Sequence, residues 1–412
     1  MPSYMLACRV EDAFATDGSS EYFLPFGSVV ALGAVAGPFT VRAPCDFDVT
    51  GIMVRLGAAP GSGHSRTVYL NVGGSDVASV TISNTDTVGT WSGTTSITDG
   101  DEYYMHTSGS SGSTDPGVMS VAGIITTASG VGFPVVGSFH HATTATRNFV
   151  PNSRHALNTN TDAFTMIVMP VPGTLKNLRV RTNINVPAGS ETVVSRLGAS
   201  GATSASDGTL TASVSAGNST ADDSTNSDAR TAGQQFTFRA SGSSGALNDT
   251  VAFSCEFLPD TDGDGWLGGT STSDEATNGA TRYLELTAVV GNNYETTESN
   301  TYQALYACTL DLLYVRSAVA PATTETIDVD LRLNAADSGV VAQLTTANTA
   351  SDTSNTATLV DEDVVNMAMT LSASPAVTSS RMTWAVRCVV DTGAAPTGSP
   401  WYYYAQQQAV CG

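Results

Sequence analysis

The sequence predicts an all-β protein built from three tandem β-sandwich modules of the jelly-roll type. Three observations support this: a strand-like run that recurs three times, a surface made of small polar residues, and short alternating segments separated by turns. Of the 412 residues, 41% are hydrophobic, enough for packed cores, and only 13% are charged. Ser, Thr, Asn, Gly and Ala must therefore cover the surface, which is typical of all-β proteins with many turns.

The recurring run carries the dipeptide Val-Arg in its second half, and a proline-containing loop and a second strand follow it. Its three copies occupy residues 51–56, 177–182 and 312–317. The arginines of these copies are Arg55, Arg181 and Arg316, spaced by 126 and then 135 residues. The module openings at Tyr22, Asn148 and Tyr283 share both spacings. Two landmarks with the same two periods predict tandem modules.

Later segments of each repeat supply the remaining strands. The strand after the Val-Arg run is clearest in the third copy, where Ile327, Val329, Leu331 and Leu333 alternate with charged residues. This period of two indicates a strand with one buried and one wet face. A turn, another strand and a final strand rich in aromatic and β-branched residues then complete each copy, as a sandwich core requires. The alignment places the Ser/Thr-rich stretch 200–232 inside the second module.

The repeats predict the domain boundaries. We expect an N-terminal arm over 1–21 and modules over 22–147, 148–282 and 283–412. The stretches 126–147 and 259–282 are interpreted as connections between modules. The aromatic tail at 400–408 is expected to dock on a neighbouring molecule or to pack on its own third module, because so apolar a patch usually marks an interface.

The charge and the cysteine content argue against several classes of partner and metal site. A net charge of -21 repels phosphate backbones and anionic lipid, so neither nucleic acid nor a membrane is an expected partner. The sequence shows no secretion signal and no apolar run long enough to span a bilayer. Without a Cys-x-x-Cys pair the six cysteines argue against structural zinc. Cys255 and Cys388 are predicted to be buried thiols, and a pairing of Cys8 with Cys411 is left open.

The best candidate for a ligand site is an acidic turn after the second module. Asp260, Asp262 and Asp264 alternate there, and a glycine follows the third of them. Oxygen ligands on every second residue resemble the opening of a calcium loop, but the bidentate glutamate expected at position twelve is replaced by Ser271. Calcium is the only predicted cofactor, with these three aspartates as its ligands. The alternative is a solvated acidic turn.

Catalysis has little support in the sequence, and we expect no enzyme. All five histidines, His64, His106, His140, His141 and His155, precede the second repeat or lie at its start. The pair His140-His141 is a poor metal site on a strand, because adjacent strand residues point to opposite faces. No Gly-x-Ser-x-Gly elbow, P-loop or dinucleotide fingerprint occurs. The three Val-Arg arginines are interpreted as structural, with their heads paired to aspartates on the wet face, and anion binding is the alternative.

The motifs of the repeats follow one order. A Leu- and Val-Arg-containing strand is followed by an Ala-Pro-x-x-Gly loop, a Thr-Val strand, an Asp-Gly-Asp turn and a final aromatic strand. This order resembles tandem repeats in structural proteins of bacteriophage and virus particles, of the decoration, fibre or tail-appendage type. The clearest copy extends from Phe47 to Met105, and the resemblance covers most of residues 22–391. It implies a virion component and assigns no catalytic residue.

The sequence therefore supports three hypotheses of function. The first is a structural virion protein on the particle exterior, assembled in the host cytoplasm and contacting other virion proteins and copies of itself, as a homotrimer or as a pseudo-threefold monomer. The second is an adhesin or receptor-binding protein that holds host surface glycans through exposed aromatics such as Trp91 and Trp266. The third is an enzyme that degrades a capsule polysaccharide.

Overall fold

The computed structural model describes residues 1–27, 32–142, 146–149, 151–152, 156–157, 165–243, 248–271, 279–287, 289–290, 295–372 and 381–392. These residues form six β-sheets, and the chain is all-β, as predicted. Among the described residues, two short 3-10 helices, Gly37–Phe39 and Glu298–Thr301, interrupt the strands. In the part of the chain described, no helix has the length and apolar character needed to cross a membrane.

The first module is a sandwich of two sheets. Its strands are β1 (Ser3–Glu11), β2 (Ser20–Phe23), β3 (Val41–Arg42), β4 (Phe47–Leu56), β5 (Gly61–Val72), β6 (Ser75–Asn84), β7 (Val88–Ile97), β8 (Glu102–Gly109) and β9 (Val118–Thr126). One sheet has the order β1-β9-β4-β7 and the other β2-β8-β5-β6, with β3 also beside β8. We call these the back sheet and the front sheet.

The second module repeats this plan. Its strands are β10 (Phe133–Ala142), β11 (Thr146–Phe149), β12 (Ala156–Leu157), β13 (Ile167–Val168), β14 (Gly173–Thr182), β15 (Ser190–Gly198), β16 (Ser206–Ser215), β17 (Thr220–Arg230), β18 (Gln235–Gly242) and β19 (Asn248–Pro259). Its back sheet is β10-β19-β14-β17, and its front sheet is β12-β11-β18-β15-β16 with β13 beside β18. The Ser/Thr-rich stretch 200–232 thus forms β16 and β17.

The third module follows the same order again. Its strands are β20 (Gly265–Ser271), β21 (Thr281–Leu284), β22 (Val289–Val290), β23 (Gln303–Ala304), β24 (Cys308–Ser317), β25 (Ile327–Leu333), β26 (Ala336–Leu344), β27 (Thr349–Leu359), β28 (Val364–Leu371) and β29 (Met382–Val390). Its back sheet is β22-β20-β29-β24-β27, and its front sheet is β21-β28-β25-β26 with β23 beside β28. In all three modules the first strand pairs with the last, which is the closure of a jelly roll.

The predicted boundaries each fall one strand too late. Residues 1–21 are not a separate arm, because β1 pairs with β9 along its whole length in the first back sheet. Likewise β10 pairs with β19 and β20 pairs with β29, so the expected connections 126–147 and 259–282 contain the first strands of the next modules. These pairings join residues more than a hundred positions apart, and no local pattern marks them. The aromatic tail 400–408 lies outside the described residues.

The recurring Val-Arg run begins at a β-bulge. In β4, β14 and β24 the pairing register shifts at Thr50, Asn177 and Leu312. Asn177 and Leu312 have positive φ angles of 53° and 50°. An extra residue at this point bends the strand and re-aims the side chains that follow it. The three copies are therefore alike because each is the bent second half of the same back-sheet strand.

Asp352 joins the two sheets of the third sandwich at their open edge. It lies on β27 of the back sheet and accepts a hydrogen bond from the backbone N–H of Val341 on β26 of the front sheet, at 2.9 Å. The N–H groups of Ser354 and Asn355 donate to its other oxygen at 3.0 and 3.1 Å. Asp223 does the same in the second module, where it accepts from the N–H of Thr211. The short motif Asp-[Ser/Thr]-[Ser/Thr]-Asn at 223–226 and 352–355 is the sequence signal of this contact.

Asp352→Asn is expected to lower the free energy of unfolding by about 2 kcal/mol at pH 7, because hydrogen bonds to a charged acceptor contribute roughly 1.5–3 kcal/mol. Burial raises the pKa of Asp352, but hydrogen bonds from Asn355, Ser354 and Val341 outweigh it and hold the pKa well below its ordinary value. Since the folded pKa is depressed, this stabilisation is present above the unfolded pKa of about 4 and is lost as the pH falls below it.

Urea denaturation at pH 7 and pH 3 measures this effect. The difference between wild type and Asp352→Asn should shrink at pH 3. Asp86→Asn, at an exposed turn, is the matched control and should change stability little at either pH. An equal loss for both variants would show that the bonds of Asp352 do not stabilise the module.

Candidate functional site: the interfaces between modules

The acidic turn lies between β19 and β20, and its aspartates have separate partners. Asp262 accepts hydrogen bonds from the Ser129 hydroxyl at 2.5 Å and from the Gly130 N–H at 3.3 Å. Asp264 faces the Arg387 guanidinium at 3.4 Å, and Asp260 is exposed at the rim of an open cleft. Within the described ranges no three His, Cys, Asp or Glu side chains are grouped closely enough to hold a metal ion. Calcium at these aspartates stays a prediction of the sequence.

The two histidines whose side chains are described lie apart and have different partners. His106 contacts the Asp76 carboxylate at 2.9 Å, and His64 lies 3.5 Å from the Ser110 hydroxyl. The side chains of His140, His141 and His155 lie outside the description, as does Cys411 and so any pairing of it with Cys8. Cys255 and Cys388 are buried free thiols, as predicted. Burial raises the pKa of the Cys8 thiol to about 12, which keeps it protonated.

The modules contact one another in a closed cycle. The short strand β3 of the first module lies against β14 and β19 of the second, β13 of the second against β24 and β29 of the third, and β23 of the third against β4 and β9 of the first. In each case a two-residue strand beside the front sheet of one module lies against two strands of the next module's back sheet. Contacts of this head-to-tail type leave an open end unless the rotation closes. Here three modules close it within one chain.

Each Val-Arg arginine lies at one of these interfaces. Arg181 donates to the carbonyl of Gly37 at 3.0 Å and pairs with Glu102 at 3.0 Å, both in the first module. Arg316 donates to the carbonyl of Ala202 in the second module at 3.0 Å. Arg55 lies over the ring of Tyr302 in the third module, 5.8 Å from its centroid. The arginines are structural, as predicted, but they contact the preceding module instead of aspartates on their own wet face.

Burial lowers the pKa values of Arg316 and Arg55 and makes their guanidinium groups depend on partners in another module. Arg316 is fully buried, and burial lowers its pKa to about 10, so it remains a cation at neutral pH. Burial also lowers the pKa of Arg55. A buried guanidinium keeps its place only if its N–H groups find acceptors or an aromatic face. The carbonyl of Ala202 and the ring of Tyr302 provide these, so each arginine fixes the position of the module before it.

The interface between the first and second modules is an ionic network. The Arg179 guanidinium bonds Asp99 of the first module at 2.6 Å and Asp222 of its own module at 2.7 Å. Asp222 in turn contacts Arg42, on β3 of the first module. Positive and negative groups therefore alternate across the boundary. No local sequence pattern links these four residues, because they come from three separate strands and a turn.

The third module is joined to the first by a buried ion pair. Arg9 on β1 contacts Glu285, which follows β21, and the two side chains are 5% and 3% exposed. Sequence reasoning missed both residues. The available signal was the position of Arg9 inside the otherwise apolar run 4–10, since arginine is almost never fully buried without a partner.

Aromatic residues from all three modules meet at one junction. Tyr4 on β1 packs against Phe133 on β10, with ring centroids 4.9 Å apart, and Phe133 packs against Trp266 on β20 at 6.3 Å. Each belongs to the first strand of its module, and none is more than 1% exposed. The prediction of Trp266 as an exposed glycan contact is therefore wrong: the ring lies in the junction because β20 starts the third module against the core of the second. Trp91 is half-buried on β7.

Comparisons with known proteins give only distant likenesses. No protein-family model matches the chain, and a search of curated proteins finds no match. Among solved structures, the insecticidal delta-endotoxin Cry8Ea1 of Bacillus thuringiensis is 8% identical over 55% of this chain and 53% of its own, with a TM-score of 0.19. Two virus structures, the second described as that of an archaeal virus, are each 10% identical with TM-scores of 0.16. The Sulfolobus Turreted Icosahedral Virus structure covers 84% of this chain and 80% of its own, and the structure described as a triple jelly roll fold and turret assembly covers 95% and 96%.

Several of the solved structures are thus viral, including a norovirus particle at 8% identity and a TM-score of 0.16. At these values the likenesses do not say what this chain does. Its fold rests on the strand order described above.

Proposed function

We propose that the chain is a structural component of a virus particle, placed on the particle exterior as a decoration or appendage protein. The observation that supports this most is the closed cycle of three jelly rolls. Two of its buried guanidinium groups, those of Arg9 and Arg316, contact other modules, so part of the buried polar chemistry holds the modules together. The motif order of the sequence, which resembles virion structural proteins, supports the same role. The proposal assigns the chain no enzymatic activity.

The exterior is favoured over the genome side by charge. The chain carries a net charge of -21, and many of its arginines already face carboxylates within the chain. A surface of this kind repels a packaged nucleic acid. It also keeps a protein soluble and separate until it finds a specific partner. We therefore infer that other virion proteins are its partners and that it enters the particle during assembly in the host cytoplasm.

The closed cycle bears on the predicted homotrimer. A chain with a single module would need three copies to make this head-to-tail arrangement, whereas this chain makes it alone. We infer that one chain takes the place of a trimer in the particle, the pseudo-threefold arrangement that the sequence left open. Association of further copies, including the homotrimer, would have to use surfaces outside this cycle.

The proposal can be tested by mass spectrometry of virus particles that have been purified by density banding. The particles should come from a culture infected with the virus that encodes the chain. We expect its peptides at a fixed ratio to the major coat protein, and limited proteolysis of intact particles should release them before the coat protein is cut. Absence of the chain from banded particles would contradict the virion role. Presence together with full protection from protease would contradict the exterior position.

A further inference from the structure

The outer face of the first front sheet carries an aromatic patch. Tyr22, Tyr69 and Tyr104 surround His106 on neighbouring strands, with the Tyr69 and His106 rings stacked at 4.5 Å and an interplanar angle of 9°. Tyr22 lies 5.5 Å from His106, and Tyr104 lies 6.1 Å from it. The three tyrosines are half-buried although they stand on a face of the sandwich that needs no core. Tyrosines on an exposed sheet face are typical of an interface, because they have an apolar body and a polar tip.

The patch ends in a polar group with unused acceptors. His106 Nε2 and Asn71 Nδ2 both contact Asp76 Oδ1, at 2.9 and 2.7 Å. Asn71 is 4% exposed, and its Oδ1 has no hydrogen-bond partner among the described residues; the same holds for His106 Nδ1. If neutral His106 donates through Nε2, its Nδ1 is an acceptor as well. Both of these atoms are buried, so the acceptor that an incoming N–H donor meets here is the exposed Asp76 carboxylate beside them.

The other two modules show which ligand the position holds. The same register pair on the front sheet is Asn71–Asp76 in the first module, Arg196–Asp207 in the second and Arg332–Asp337 in the third. In the second and third modules the arginine pairs with its aspartate. Arg332 also lies over the ring of Tyr283, 5.9 Å from its centroid. Tyr22 lies on the second strand of the first module, as Tyr283 does in the third. The first module therefore keeps the tyrosine and the aspartate but has Asn71 in place of the arginine.

We propose that this patch binds a guanidinium group, the side chain of an arginine supplied by a different polypeptide. A guanidinium has five N–H donors and no acceptor, stacks on aromatic rings and pairs with carboxylates. Asp76, whose side chain is 43% exposed, provides the carboxylate. The residue paired with Tyr69 on the outer strand is Ser79, which is exposed and too short to cover the ring. The guanidinium stacks on that open side of Tyr69 and reaches Asp76.

The source of the arginine follows from the charges of the chain. Several arginines of this protein are held by its own carboxylates, as Arg179, Arg332 and Arg387 show, and two copies of net charge -21 repel each other, so a second copy is a poor donor. With a net charge of -21 the chain attracts a cationic segment of another protein. This inference does not depend on the virion role, since it concerns the purified chain.

Binding of the tripeptide acetyl-Gly-Arg-Gly-amide tests the proposal. The ring proton of His106, followed by NMR in histidine-labelled full-length protein, should shift on titration with this peptide. The citrulline peptide, which has the same shape without the charge, should bind at least tenfold more weakly, and the lysine peptide several-fold more weakly. Asp76→Asn should weaken the arginine peptide at least tenfold and Tyr69→Ala about fivefold. Asp86→Asn removes an equal charge away from the patch and should leave binding unchanged.

Asn71→Arg is the decisive variant, because it supplies from within the chain the guanidinium that the other modules already have. It should abolish peptide binding and leave the protein folded, as judged by an unchanged NMR spectrum outside the patch. No shift of His106 at 50 mM arginine peptide, or equal binding of the citrulline peptide, would overturn the proposal. So would a neutral N-acetylglucosamine trisaccharide that binds the patch with the same sensitivity to Tyr69→Ala, because the surface would then recognise glycans.

Discussion

Arg9→Met is expected to lower the free energy of unfolding by about 3–5 kcal/mol, the range found when one partner of a buried ion pair is removed. Arg9 and Glu285 are 5% and 3% exposed, so the substitution leaves the Glu285 carboxylate without its cation in a place that water hardly reaches. Burial lowers the pKa of Arg9, and the nearby carboxylates of Glu11 and Glu295 oppose that shift. Urea denaturation followed by tryptophan fluorescence measures the loss.

Two variants separate this effect from a general sensitivity to arginine loss. Arg239→Met removes one side of the pair with Asp207, whose side chains are 26% and 51% exposed, and should cost less than about 1 kcal/mol. Adding Glu285→Gln to Arg9→Met should recover much of the stability, because no charge is then buried alone. If Arg9→Met costs no more than Arg239→Met, the ion pair does not hold the third module to the first.

Local patterns in the sequence predicted the strands. They did not predict the module boundaries, because these depend on pairing between distant strands. The alternation at 327–333 is found in β25, where Ile327, Val329 and Leu331 are each 1% exposed. Alternation depends only on the pleat of one strand, so a single segment is enough to show it. The boundary errors have the opposite cause. The module to which β10 belongs is decided by its pairing with β19, and the local sequence of neither strand indicates that pairing.

The repeated arginines show that a position can recur in the sequence while its contacts differ from one copy to the next. The sequence places Arg55, Arg181 and Arg316 at one position of a strand, but the partner of each lies in another module. One meets an aromatic ring, one a carboxylate and a carbonyl, and one a carbonyl. The three interfaces therefore have equivalent positions and different chemistry. Such differences favour one cyclic order of modules over exchange with another chain, because a wrong pairing leaves buried groups without partners.

The candidate site was harder to predict than the fold, for a related reason. The sequence pointed to Asp260, Asp262 and Asp264, whose alternation is visible locally. The aromatic patch joins Tyr22, Tyr69 and Tyr104 from three strands and became visible only with the sheet order β2-β8-β5-β6. Asn71 stands out only when it is compared with Arg196 and Arg332 at the equivalent positions of the other modules. That comparison requires the strand register of each front sheet.

Trp266→Ala is expected to lower the free energy of unfolding by about 3–5 kcal/mol, as for other large aromatic residues truncated in a core. Trp266 is 1% exposed, and its ring contacts Phe133, Phe236 and Phe257 of the second module at centroid distances of 6.3, 6.0 and 6.4 Å. The cavity left by alanine opens where the first strands of the modules meet. Differential scanning calorimetry should therefore show the loss as a lower Tm.

Trp266→Phe is the matched control, because it keeps an aromatic ring at the junction. The indole Nε1 of Trp266 is buried and has no hydrogen-bond partner among the described residues, so phenylalanine removes an unsatisfied donor while it loses some volume. These effects oppose each other, and the cost should stay below about 1.5 kcal/mol. A surface role in glycan binding predicts the reverse pattern, in which Trp266→Ala leaves the Tm unchanged and removes glycan binding. That outcome would contradict the buried junction.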